Sequence, residues 1–341
     1  MTNEPNQFSL NIVDDIHEQG DPNSMVSVDL TKNMINENAR GGTELLLEEL
    51  YSHLPSDLWK EFNFIQSRVR DEFFDDRSSI LWLHDLPGDP ESEHLKDKAS
   101  RDRFEKIVFV SHWQQDKYCR YLGIPYEEGV VIKNAINEIP VHEKPKDGKI
   151  RLIYFSTPHR GLNVLESAVR ALSQTRNDFE VDVFSSFELY GNKDNDRQFQ
   201  VLYDRLEELD CVNYYGTVSN DQIRRALTQS HILAYPSIYE ESSCRVLLES
   251  MAAGCLAVVP NYGALTETGT DYAWLYNWES DPARHAEKFA SILNNAIDAF
   301  WNPGVQSILK MQTTYYNNFY GWNMRVHEWV DLLSSLKRNK K

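Results

Sequence analysis

Cysteine is scarce in this chain and shows no pairing pattern. Cys119, Cys211, Cys244 and Cys255 form no C-x-x-C pair and stand beside no pair of histidines at zinc spacing, so neither a disulfide framework nor a structural metal site is indicated. Such a chain suits a reducing cytosol. Long hydrophobic runs are missing as well: no stretch reaches signal-peptide or membrane-span length, which points to a cytoplasmic protein without stable membrane insertion. Positive charge is in short supply, 35 Lys and Arg against 52 Asp and Glu, a formal net charge of −17. A surface so acidic does not suit a protein that grips nucleic acid or anionic lipid. No internal repeat occurs, and the only biased tract is the basic end, residues 337–341.

What is present is material for two cores. The length of 341 residues exceeds what one core usually fills, and 41% hydrophobic content is ample for two. Charge divides unevenly: through Lys144 there are 15 basic and 28 acidic side chains, and in the remainder 20 and 24. Residues 140–148, rich in Lys, Glu and Pro, read as the linker between halves.

The most informative stretch is residues 231–268. Residues 231–235 form an apolar run ending in Pro236-Ser237, which suits a buried parallel strand delivering a loop. A helix is predicted next, with Ser242 or Ser243 as its cap, Val246, Leu247, Leu248 and Met251 on its apolar face and Gly254 at its end. Residues 256–259 then close a β-α-β unit. Glu241 stands before the helix and Glu249 two turns into it. The backbone N–H groups of Ser243, Cys244 and Arg245 and the positive end of the helix dipole favour an anion at its mouth. A ligand with a diphosphate between two polyols, such as a nucleotide sugar, fits this layout.

Glu241-Ser-Ser-Cys-Arg-Val-Leu-Leu-Glu249, preceded by Tyr235-Pro236-Ser237 and followed by Ser250-Met251-Ala252-Ala253-Gly254, resembles the E-x7-E signature of retaining glycosyltransferases of family 4. The resemblance implies an α/β fold of the GT-B type: two Rossmann-like domains facing a central cleft, with a C-terminal helix crossing back to the N-terminal domain. The expected division is 1–143 for the acceptor side, 144–316 for the nucleotide-sugar side and 317–341 for the crossover. It also implies that Glu241 meets the transferred sugar and Glu249 the ribose. The co-substrate would be a nucleoside-diphosphate sugar, with no further cofactor and no metal, and the acceptor a glycan or small soluble molecule. Asp14-Asp15 and Asp75-Asp76 read as solvated charge. The sequence leaves base, sugar, acceptor and oligomeric state open.

Residues 8–13 are a predicted first strand, and Gly41-Gly42 open a helix running to about His53. Two glycines there let backbone approach a ligand, and in the resemblance this loop faces the donor phosphates. Residues 79–83 form a short strand that delivers His84 and Asp85 to the cleft side of a parallel sheet. The resemblance implies that His84 stands near the donor sugar, contacting it or helping to orient the acceptor. Asp85 either takes the acceptor proton or caps the next turn. Residues 106–110 are a further strand, and Asn134-Ala135-Ile136 resembles a family motif in which Gly stands at the Ala135 position.

In the second half, residues 150–155 form a strand followed by the loop Ser156-Thr157-Pro158-His159-Arg160-Gly161. Family relatives carry an Arg and a Lys on this loop for the diphosphate. Arg160 takes the Lys position, the other cation has no counterpart, and His159 is a possible helper. Asn220 is predicted to cap a helix over 222–229, and Thr217 and Val218 lie on the loop expected against the base. Rival readings are a nucleotide-sugar hydrolase or epimerase, a silent nucleotide-sugar-binding module, and a DNA glucosyltransferase, the last disfavoured by acidity.

Overall fold

The computed structural model describes residues 42–190 and 193–339. The predicted strand at 8–13 and Gly41 lie outside the described residues. In the first part, strands β1 (Phe62–Gln66), β2 (Ser78–Leu83), β3 (Lys106–Phe109) and β4 (Gly129–Val131) form a parallel sheet in sequence order. Helices α1 (Gly42–His53), α2 (Ser56–Trp59), α3 (Lys98–Arg101) and α4 (His112–Leu122) accompany it.

Alternation along the strands explains how the sheet is covered on both faces. Ile80, Trp82 and Val108 join one core cluster with Leu46 and Leu50 of α1, while Leu81, Leu83, Ile107 and Phe109 join another with Tyr118 and Leu122 of α4. Side chains two apart share a face, so an unbroken apolar run such as residues 80–83 of β2 must be buried on both.

The second part holds β5 (Ile150–Phe155), β6 (Phe179–Phe184), β7 (Val212–Tyr214), β8 (Ile232–Ala234), β9 (Leu256–Pro260) and β10 (Trp274–Tyr276). All pair in parallel in the order β10-β9-β8-β5-β6-β7. Its helices are α5 (Leu162–Ser173), α6 (Gln200–Glu207), α7 (Asn220–Gln229), α8 (Arg245–Ala252), α9 (Leu265–Gly269), α10 (Pro282–Ala299) and α11 (Pro303–Phe319). Ser219, not Asn220, caps α7. Its hydroxyl accepts from Gln222 N, and Gln222 reaches back to Ser219 N, a reciprocal box that satisfies two free donors.

The last helix, α12 (Trp322–Asn339), returns to the first sheet and places Trp322, Trp329, Leu333 and Leu336 in its core. Trp329 meets Trp82 edge-on at 5.0 Å. The chain leaves that core between Ala135 and Ile136 and re-enters it between Tyr320 and Trp322. The two crossings touch, Ile136 N donating to Tyr320 O at 2.9 Å. Ile136 and Ile139 therefore pack with the second core, ahead of the linker expected from composition, because apolar residues follow the nearest core and the Pro- and Lys-rich segment behind them does not.

Candidate active site

In the six-stranded sheet the chain order reverses between β5 and β8, and the loops leaving such a pair diverge to open a crevice. Here the two loops are also brought into contact. Gly161 has φ of 107°, and a Cβ there would lie 2.1 Å from the Pro236 carbonyl oxygen, so glycine is what lets the β5 loop reach the β8 loop. Arg160 consequently meets Glu241, its Nη1 donating to Oε1 at 2.7 Å and to Oε2 at 2.9 Å. Its guanidinium also lies 4.4 Å from the Tyr239 ring centroid.

Glu241 is only 3% exposed and accepts a further bond from Tyr235 Oη at 2.6 Å. Behind it Gly263 adopts φ of 60°, where a Cβ would fall 2.6 Å from Glu241 N. Burial, with the charge of Glu241 adding to it, pushes the Tyr235 hydroxyl well above its usual range, so Tyr235 stays a donor to the carboxylate.

Helix α8 begins at Arg245 with Cys244 at its cap position and no side-chain cap. The expected capping by Ser242 or Ser243 is thus corrected: Ser242 Oγ is drawn across the cleft instead, donating to His84 O at 2.6 Å, while Ser111 Oγ donates to Ser242 O at 2.7 Å. One turn into the helix, Glu249 Oε1 accepts from Arg245 Nη2 at 2.9 Å. Arg245 also reaches Glu49 of α1 at 3.4 Å, and Glu49 accepts from Asn137 at 2.9 Å and from Trp322 Nε1 at 3.2 Å. The Glu249 carboxylate is therefore linked through Arg245 to the opposite wall.

On that wall β2 leads directly into His84 and Asp85, whose backbone N–H groups both donate to Ser67 Oγ. The His84 ring lies 4.8 Å from Trp82, and its Nε2 is buried with no hydrogen-bond partner. Burial, then the charge of Arg245, pushes its pKa down to about 3, leaving the imidazole neutral. Asp85 goes the other way, up to about 6, through burial and the nearby Asp89, with Arg68 opposing. Arg68 stands 4.0 Å from each of Asp85 and Asp89.

His159 stacks on Phe187 at 5.3 Å, and burial followed by the charge of Arg160 lowers its pKa to about 3. Its Nδ1 is buried without a partner, as are Thr157 Oγ1, Ser185 Oγ, Asn134 Oδ1 and Arg68 Nε. Together with His84 Nε2 these atoms belong to residues lining a single cleft of about 370 Å³ between the two sheets. Buried polar atoms are nearly always hydrogen-bonded, and six unpartnered ones belong to residues around this one cleft.

The cleft gathers the sequence-predicted residues Gly42, His84, Asp85, His159, Arg160, Thr217, Val218, Glu241, Ser242, Ser243, Cys244, Arg245 and Glu249. Gly42 opens α1, where a Cβ would lie 3.8 Å from Arg245 Cδ. Glu49, Arg68, Asp89, Ser185 and Tyr239 also line it and were not anticipated. Tyr239 stands two residues before Glu241 and was within reach of the motif; Arg68 follows a strand that the sequence reading passed over.

Residues 136–299 match the family model described as glycosyl transferases group 1. A glycosyltransferase from Rickettsia africae ESF-5 is similar in structure, with TM-score 0.65 and 16% identity over 89% of this chain and 84% of that one. Anabaena Alr3699/HepE, solved in complex with UDP and glucose, gives TM-score 0.62 at 16% identity, covering 86% and 82%. Sucrose-phosphate synthase from Thermosynechococcus elongatus gives 0.62 at 14%, covering 87% and 79%. No curated protein sequence matches the chain. The fold is that of GT-B glycosyltransferases, and residues 136–299 are similar to the group 1 family model.

Proposed function

We propose that this protein is a retaining, metal-independent glycosyltransferase of the family 4 type, which moves a sugar from a nucleoside-diphosphate sugar to an acceptor hydroxyl. The observation that carries the reading is that Glu241, Glu249, Arg160 and Arg245 line one cleft at the sheet's switch point, among residues that hold six unpartnered buried polar atoms. The UDP and glucose held by Anabaena Alr3699/HepE agree with a donor of that layout.

In this reading Glu249 receives the ribose hydroxyls and Glu241 those of the transferred sugar. The diphosphate lies against the start of α8 and Arg160, with His159 beside it, and the base lies by Thr217 and Val218. Gly42 faces the phosphates from the other wall. Neutral His84 offers Nε2 to a sugar hydroxyl. The acceptor oxygen bonds to the anomeric carbon on the face from which the diphosphate departs. The broken C–O bond leaves its electron pair on the diphosphate oxygen, and that oxygen takes the acceptor proton. Charge gathering there is met by donors already fixed in place, so little reorganisation is needed. The four cysteines are free thiols, which suits the cytoplasm, and among the described residues no helix is long and apolar enough to cross a membrane.

The test is proton NMR of reactions pairing common nucleotide sugars with a panel of acceptors. A product whose new anomeric linkage keeps the donor's configuration, absent with Glu241→Gln, is expected. An inverted product would remove the retaining assignment, and donor turnover that needs no acceptor would favour a hydrolase.

A further inference from the structure

Arg68 is the least settled charged group in the cleft. It is only 8% exposed, its Nε has no hydrogen-bond partner, and its two carboxylate neighbours, Asp85 and Asp89, stand 4.0 Å away, beyond hydrogen-bond reach. By contrast Arg160 and Arg245 hold their carboxylates at 2.7 Å and 2.9 Å. We propose that Arg68, Asp85 and Asp89 form the acceptor subsite, and that it takes an uncharged, hydroxyl-rich acceptor, a free sugar or the end of a glycan, in preference to a phosphorylated one. The proposal rests on the glycosyl-transfer reading and names the acceptor class for it.

Two arguments lead there. The first is hydrogen-bond chemistry: a hydroxyl both donates and accepts, so it can accept from the guanidinium while donating to a carboxylate across the gap that neither charged group closes. A polyol with neighbouring hydroxyls does this at Asp85 and Asp89 together. Asp85, although raised to about 6 by burial and Asp89, is still mainly a carboxylate at neutral pH.

The second is charge. Two carboxylates face one guanidinium, and the next carboxylate along, Glu91, is already held in a two-bond fork by Arg70 at 2.6 Å and 2.8 Å. His84 beside them is neutral. An acceptor phosphate brought to this wall would meet both Asp85 and Asp89, with the single guanidinium of Arg68 set between them, and like charges at such separations repel. The position is also right for an acceptor, since the His84 carbonyl next to Asp85 is tied to Ser242, the neighbour of Glu241.

The test begins with a nucleotide that stabilises the protein. Its sugar conjugates are then incubated with a panel of mono- and disaccharides, each supplied free and as its phosphate ester, and release of nucleoside diphosphate is followed. Turnover with a free sugar is expected, with kcat/KM at least about tenfold above that of its ester. Arg68→Met should raise the acceptor KM about tenfold or more while leaving the nucleotide-induced melting shift unchanged. Asp89→Asn, which keeps a side chain able to cap the following turn, should narrow the preference for the free sugar. The inference is overturned by faster turnover of the ester, by an unchanged acceptor KM in Arg68→Met, or by silence with every free sugar in protein that the nucleotide stabilises. Absence of any nucleotide shift is a separate result, and it removes the transferase reading together with this one.

Discussion

The two walls of the cleft hold charge in different ways. On the wall built by the six-stranded sheet, Glu241 is clamped by Arg160 and Tyr235 and Glu249 by Arg245, all within 3 Å. On the four-stranded wall Arg68 stands 4.0 Å from Asp85 and Asp89, whereas unpartnered uncharged groups occur on both walls, His84 and Asn134 here and His159, Thr157 and Ser185 opposite. A site that must meet the same donor groups at every turnover gains from fixed partners. A wall with open valences is completed by what enters. In the proposed reading, fixed charge partners thus belong to the donor side and open ones to the acceptor side, and the experiments below can break that division.

The largest effect should come from Gly161→Ala. A Cβ 2.1 Å from the Pro236 oxygen, on a backbone with φ of 107°, should cost about 3 kcal/mol in urea-induced unfolding and separate Arg160 from Glu241, abolishing turnover. Next is Glu241→Gln, which keeps the shape but removes the charge that Arg160 and Tyr235 address. It should cost about 2 kcal/mol of stability and at least about a hundredfold in kcat. If instead only the acceptor KM moved, the donor side would not be the preorganised one.

The pH behaviour separates neighbours on the other wall. Asp85 is raised from 3.8 to about 6. The native state therefore holds more protons than the unfolded chain between those values, and this group's contribution to stability falls as pH rises through that window. His84 is lowered from 6.5 to about 3. Here the native state holds fewer protons, and stability is lost as pH falls below 6.5. The two oppose each other between about pH 4 and 6. In Asp85→Asn the histidine contribution is uncompensated, so acid destabilisation across that window should steepen by up to about 1.4 kcal/mol per pH unit, as measured by denaturant melts at each pH. The smallest effect is expected from Glu49→Gln, which loosens the link to Arg245 at 3.4 Å. A loss of about 1 kcal/mol or less, with nucleotide binding retained, would fit its place on the opposite wall.

Legibility in the sequence depended on how local each determinant is. Strand β5 begins and ends where it was expected, and Gly254, with φ of 72°, follows α8 as predicted. Strand β1 was passed over because Asn63 and Gln66 interrupt its pattern. Both are satisfied at a distance, Asn63 by Phe73 O and Ser79, Gln66 by Thr43 O, partners that no local pattern announces. The Glu241 and Glu249 loop could be read because a strand, a helix start and two acids lie within one short stretch. Glu49 could not: it acquires its place through Arg245, 196 residues away in sequence. The serines before α8 were misassigned for a related reason, since a cap is a local expectation and Ser242 answers to His84, 158 residues distant.

The most direct test is a thermal-shift titration of the wild type and Glu249→Ala with UDP, GDP, ADP and CDP and their common sugar conjugates. A ligand that binds only the folded state stabilises it by about 2.7 kcal/mol at about 100 times its dissociation constant. One base should raise the melting temperature of the wild type and fail to do so in the variant. Equal shifts in both proteins would contradict the assignment of Glu249, and no shift with any nucleotide would contradict the donor site itself.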